Sequence, residues 1–235
     1  MYIANIFPVN NQELYQGEKM AMILAPLLKK GLYKAENFKD TYVILDNGLY
    51  EKSMVSTSLQ DLIDLAEASD IVVDEIVVPD CMGDWLTTRF LFEKNLEIIR
   101  KNPGYRFMIV AHAENEQQLG EIIDYLNQFD GLPLVVGIPK RVPFDRGNLD
   151  AKLTYMKCRF PVHFLGIQHS FSELEPVWYK VRSCDSSQAV CAVAENADNN
   201  IWEYHREGNP VSIECDTIDI SRIKRVLKEI KRFHE

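Results

Sequence analysis

Short apolar runs alternate with helix-periodic segments along the chain, and this alternation limits the fold more than any other feature. Tyr2 to Pro8 reads as a first strand, Thr41 to Asp46 as a second and Glu75 to Pro79 as a third. Arg106 to Ala111, Pro133 to Ile138 and Val162 to Ile167 continue the series, and Val181 to Ser183 begins a seventh. Helical patterns lie between them: Gln12 to Lys30, Leu59 to Ser69 behind a Ser58 cap, Asp84 to Lys101, Glu114 to Phe129 and Leu149 to Cys158. A short helical connector follows over Ser172 to Lys180. Val211 to Cys215 is the candidate eighth strand, and a helix from Ile218 to Phe233 comes last.

Strand–helix alternation of this kind predicts a parallel sheet. Seven or eight such units in 235 residues predict a single α/β domain, a TIM (β/α)8 barrel with an irregular eighth unit. The competing doubly wound sheet would carry a glycine-rich phosphate loop after its first strand. Phe7-Pro8-Val9-Asn10-Asn11 contains no glycine, so the barrel is the better fit.

The chain is 46% hydrophobic, enough for a sizeable core, yet every apolar stretch is soon broken by a charge or proline. No membrane span or secretory leader is legible, and a cytoplasmic protein without a membrane partner is expected. The five cysteines are scattered, with neither a disulfide frame nor a zinc spacing among them. A net charge of −9 argues against non-specific coating of nucleic acid. The concentrated positive segments are Lys140-Arg141, at a strand end, and the stretch from Arg222 to Arg232, which reads as the solvated face of a helix.

In a parallel barrel the residues after each strand share one rim, the usual seat of chemistry. That rim collects Asp46-Asn47-Gly48-Leu49-Tyr50-Glu51, then Asp80 and Asp84, then His112. Gly137 and Lys140-Arg141, Gly166, Gln168 and His169, and Asp185-Ser186-Ser187 complete it. No pair of these has a recognisable metal-ligand spacing, so neither a metal nor a cofactor is expected. An anion is unwelcome beside so many acids. A flat, donor-rich base or a developing oxocarbenium carbon suits them better.

Several of these segments resemble the tRNA-guanine transglycosylase superfamily, most of all its short phage members that place 7-deazaguanines in DNA. Leu45-Asp46-Asn47-Gly48-Leu49-Tyr50-Glu51 is similar to the family's Asp-Ser-Gly-Gly-aromatic-Gln segment. Val77 to Asp84 resembles the segment with the base-recognising aspartate, and His163-Phe164-Leu165-Gly166-Ile167 the strand beneath the base. Val181-Arg182-Ser183-Cys184-Asp185-Ser186-Ser187 resembles the segment bearing the nucleophile.

The resemblance implies a queuosine-related transferase that exchanges guanine for a free 7-deazaguanine base. Asp185 would be the nucleophile and Asp46 the general acid and base. Asp80 and His112 would meet base edges, Tyr50 would stack on one face of the base, Leu165 and Gly166 would line the other, and Gly137 would bring backbone close to the base. Lys140 and Arg141 would face the nucleic-acid backbone. The family's Cys-x-Cys-x-x-Cys loop has no counterpart here, nor have the arginines after the nucleophile, where Ala189 to Val193 stand. DNA is therefore favoured over tRNA as partner, in the host cytoplasm for a phage-encoded chain. A partner protein presenting the substrate also fits the scarcity of basic residues.

Each residue also has a plainer reading. Asp46 before Asn47-Gly48 can open a turn, and Asp80, Asp84 and Asp185 can cap helices, capping being the expected role for Asp84. His112 and His169 can be ordinary polar residues, and Tyr50 can be packing. A base-releasing N-glycosidase and a catalytically silent nucleobase-binding barrel remain alternatives to exchange.

Overall fold

The computed structural model describes residues 1–49, 57–167, 176–177, 179–196, 198, 201, 204 and 218–232. Eight parallel strands pair in chain order and close into a barrel. They are β1 (Tyr2–Asn5), β2 (Met20–Leu24), β3 (Tyr42–Asp46), β4 (Glu75–Val77), β5 (Arg106–Val110), β6 (Leu134–Pro139), β7 (Val162–Leu165) and β8 (Ser183–Ser186). Around them run α1 (Ala25–Lys29), α2 (Leu59–Glu67), α3 (Trp85–Lys101), α4 (Glu116–Leu126), α5 (Leu149–Lys157), α6 (Gln188–Ala194) and α7 (Ile220–Arg232). The expected TIM (β/α)8 barrel is the observed fold.

The strand count closes earlier than the sequence suggests. Gln12 to Lys30 is not one helix: a 3-10 segment (Val9–Tyr15) leads into strand β2, and only Ala25–Lys29 is α-helical. Met20-Ala21-Met22-Ile23-Leu24 is buried at every position. A strand covered on both faces reads as a continuous apolar run, which periodicity does not separate from a buried helix. Pro26, in the first turn of α1, marks where a helix begins rather than continues. With β2 counted, Ser183–Ser186 is the eighth strand and closes on β1 through the register Tyr2↔Ser183 to Asn5↔Ser186. Val211 to Cys215 lies outside the described residues.

Alternation along the strands builds two cores. Ala4, Met20, Met22, Ile44, Val77, Met108, Val110 and Val135 form a small cluster filling the lumen. A much larger cluster lies between strands and helices, with Leu59, Leu62, Ile63 and Ala66 from α2 as one contributing stripe. Helices α2 and α3 carry the caps their sequences suggest. Ser58 and Asp61 form a reciprocal capping box on α2, and Asp84 Oδ1 accepts from the Thr87 N–H at 3.0 Å on α3.

The lumen is sealed at its N-terminal end by a buried ion pair. Glu75, fully buried, accepts from Arg182 Nη1 at 2.7 Å, Arg182 Nη2 at 3.1 Å and the Tyr42 hydroxyl at 2.8 Å. Burial first, and Glu75 second, hold the Tyr42 hydroxyl protonated well above its ordinary range. Glu75→Ala strands the Arg182 guanidinium without its partner and is expected to cost about 3 kcal/mol of stability, read by urea unfolding. An unchanged midpoint would refute that role.

Helix α7 is tied down by charge. Arg222 and Arg225 both donate to the buried Asp198 carboxylate, and Arg222, the larger influence, helps hold its pKa at about 2. A folded-state pKa below the unfolded value of 3.8 means the stabilisation is complete above that value. It disappears as the pH falls through about 2. Amide-exchange protection of α7 is therefore expected to weaken between pH 4 and pH 2, and protection that stays flat over that window would contradict the assignment.

Candidate active site

The C-terminal ends of the strands surround a cavity of ≈ 320 Å³. Its floor is apolar, with Met22, Val77, Val110 and Leu165 projecting from the lumen. Asp46 at the end of β3, Asp80 after β4 and Asp185 on β8 all line it, so the three acids distant in sequence share one chamber. Each carboxylate is held differently.

Asp185 is engaged on one oxygen only. Its Oδ1 accepts from the Gly166 N–H at 2.8 Å and lies 3.1 Å from His163 Nε2. Its Oδ2 has no hydrogen-bond partner among the described residues, in a side chain 10% exposed that lines the cavity. A carboxylate fixed by one oxygen and open at the other is oriented for attack or for charge stabilisation. Gly166 delivers its N–H from φ +73°, a left-handed conformation that side chains rarely adopt, and a Cβ there would meet Lys140 Cδ at 2.9 Å. Behind it, the buried Arg146 guanidinium donates to the Gly166 carbonyl at 2.9 Å and to the Ile138 carbonyl at 3.0 Å. It also lies 4.3 Å over the Phe164 ring.

Asp80 is held on both oxygens. Asn47 Nδ2 donates to Oδ1 at 2.8 Å, and His112 Nε2 lies 2.6 Å from Oδ2. His112 Nδ1 accepts from the Gly83 N–H at 3.2 Å, which leaves the ring proton on Nε2, directed at Asp80. Two donors on a nearly buried carboxylate fix its plane and leave lone pairs for N–H groups of a ligand.

Asp46 sits in the turn foreseen for it: the Gly48 N–H donates to Oδ1 at 2.7 Å, and Asn47 Oδ1 takes the Leu49 N–H at 2.9 Å. Turn and cavity roles coincide, because the turn is what carries Asp46 onto the rim. Gly48 is required there: φ is +76°, and a Cβ would approach Pro26 to 2.6 Å.

Of the other residues singled out from sequence, His112, Leu165, Gly166, Lys140 and Arg141 also line the cavity. The cations stand among the rim residues, with Arg141 Nη1 4.0 Å from Met82 Sδ. Gly137 is not brought to the chamber. Its missing Cβ makes room in the lumen for Met108 Sδ at 2.8 Å and Leu165 Cδ1 at 3.0 Å, so it serves packing below the floor. Tyr50, Gln168 and His169 lie outside the described residues. Sequence reasoning overlooked Asn47 as a partner of Asp80 and His163 as a partner of Asp185. The second was detectable: His163 lies two positions before Leu165 on β7, hence on the same inward face. Among the described residues, no three His, Cys, Asp or Glu side chains converge as metal ligands.

No protein-family model matches the chain, and no match was found among curated proteins. Among solved structures, a glycerol uptake operon antiterminator-related protein from Thermotoga maritima superposes with a TM-score of 0.48. It is 14% identical, over 80% of this chain and 96% of that one. The carboxyl transferase domain of Rhizobium etli pyruvate carboxylase, with 3-bromopyruvate, gives 0.47 at 11% identity, over 97% of this chain and 46% of that one. Neither likeness bears on the chemistry of the site.

The rim turn yields a direct test. Gly48→Ala forces an alanine into the left-handed region against Pro26 and is expected to destabilise the fold by about 1–2 kcal/mol or more, read as a lowered Tm. A wild-type Tm would show that the turn accommodates a side chain.

Proposed function

We propose that the protein is a transglycosylase that exchanges guanine for a 7-deazaguanine base in a polynucleotide, DNA rather than tRNA. The observation that carries this reading is the division of labour among three acids around one chamber. Asp185 presents an open oxygen, Asp80 is clamped at both oxygens as an acceptor, and Asp46 stands on a turn at the rim. A chamber of ≈ 320 Å³ is at the small end of ligand sites, about 300–1,000 Å³, and suits one flat heterocycle with its sugar. Paired carboxyl groups are the usual means of substitution at an anomeric carbon.

In the first step Asp185 Oδ2 bonds to C1′ of the flipped nucleotide. The C1′–N9 bond breaks, and its electron pair leaves with guanine. Asp46, protonated, gives its proton to the departing base. The incoming base then loses a proton to Asp46, its nitrogen bonds to C1′, and the C1′–Oδ2 bond breaks to restore Asp185. Asp80 accepts hydrogen bonds from the N–H edge of whichever base occupies the chamber, with its plane fixed by Asn47 and His112. The apolar floor of Met22, Val77, Val110 and Leu165 packs under the ring and excludes water, which would otherwise intercept the glycosyl-enzyme. Lys140 and Arg141 accompany the phosphates beside the flipped nucleotide.

The test is incubation with guanine-containing DNA, tRNA and candidate 7-deazaguanine bases, followed by nucleoside mass analysis. A deazaguanine nucleoside in DNA is expected. Guanine released without incorporation would replace exchange by N-glycosidase action, and no change in any nucleic acid would overturn both. Asp185→Ala and Asp46→Ala are expected to abolish turnover. Asp80→Asn is expected to weaken base binding by about 1–3 kcal/mol, the cost of an ill-matched buried hydrogen bond. Wild-type turnover in all three variants would remove the assignment.

A further inference from the structure

Among the described residues, a polar column runs through the largely apolar lumen from its sealed end to Asp185. Glu75 takes both terminal nitrogens of Arg182, whose Nε donates to Ser183 Oγ at 3.0 Å. Ser183 Oγ lies 2.8 Å from His163 Nδ1, and His163 Nε2 lies 3.1 Å from Asp185 Oδ1. Ser183 and His163 are both completely buried.

The proton positions follow from what each group can do. A guanidinium only donates, so Arg182 uses a lone pair of the Ser183 hydroxyl. That hydroxyl has one proton, and the neighbour in reach that can accept it is His163 Nδ1. Nδ1 is then an acceptor, the ring is neutral, and its one N–H is on Nε2, facing the Asp185 carboxylate. Glu75 fixes the guanidinium by two parallel bonds, so the direction of donation is set at the far end of the barrel.

We propose that His163 is a positioning residue for Asp185: locked as the Nε2–H tautomer by Arg182 through Ser183, it secures Oδ1 and leaves Oδ2 as the oxygen offered to the chamber. The kinetic meaning of this arrangement rests on the reading of Asp185 as the nucleophile. The tautomer itself does not. A donor on Oδ1 keeps the carboxylate from rotating, and its neutrality avoids an ion pair that would draw charge from the attacking oxygen. Gly166 N–H shares Oδ1, so each donor restrains the side chain in a different direction.

Two measurements test this on the whole chain. In ¹⁵N spectra of the imidazole nitrogens at neutral pH, with His163 assigned by its loss in His163→Gln, the neutral Nε2–H tautomer is expected. An Nδ1–H tautomer or a doubly protonated ring would overturn the proposal. The second is exchange of radiolabelled guanine into guanine-containing DNA. Loss of a hydrogen bond to a charged group predicts that His163→Leu lowers kcat about 10- to 100-fold with KM within about twofold. His163→Gln, whose amide nitrogen reaches the place of Nε2, is expected to restore most of that rate. Equal kcat in wild type and folded His163→Leu would reduce His163 to a packed core residue. Should His163→Leu not fold, Ser183→Ala takes its place, with a lowered kcat at unchanged KM expected and an unchanged kcat overturning the relay. A wild-type protein that exchanges no guanine would defeat the function proposed above, while the spectra alone would still decide the tautomer.

Discussion

The double pairing of β8 organises the molecule. This strand closes the barrel on β1, with Ala4 opposite Asp185, and pairs with β7 on its other side, with His163 opposite Ser183. The first pairing removes both sheet edges and creates a lumen. The second sets beside Asp185 the donors that restrain it, one from a side chain and one from backbone. Shifting β8 by one residue would turn Asp185 outward and Cys184 inward, leaving neither a rim acid nor a column beneath it.

Three identical side chains thus acquire three environments. Asp80 is clamped at both oxygens, Asp185 at one, and Asp46 shares an oxygen with its own turn. Carboxylates in one chamber are useful when their surroundings differ, because one can attack, one can shuttle a proton and one can read a ligand. The apolar floor raises the strength of every such contact by keeping the dielectric low.

The acids were legible because they stand near strand ends: Asp46 closes β3 and opens a turn, Asp80 follows β4, and Asp185 lies one residue before the end of β8. The barrel was legible through alternation. Strand β2 was hidden because burial on both faces erases the period-two pattern, and its run merged with the apolar residues around it. Asn47 was hidden because its role comes from a contact across strands, from the end of β3 to the end of β4, which composition does not encode; His163 was within reach of the alternation of β7, two positions before Leu165. Gly137 was misplaced for the opposite reason. A glycine in a strand signals a close approach, but the approaching atoms are Met108 and Leu165 of the protein itself.

The central claim is that Asp185 Oδ2 forms a bond to sugar carbon. Peptide-mapping mass spectrometry of acid-quenched enzyme after mixing with a guanine-containing DNA oligonucleotide tests it most directly. The account predicts a deoxyribosyl ester on the peptide that contains Asp185. An ester on the peptide bearing Asp46 or Asp80, or exchange that proceeds with no adduct at any time point, would contradict it.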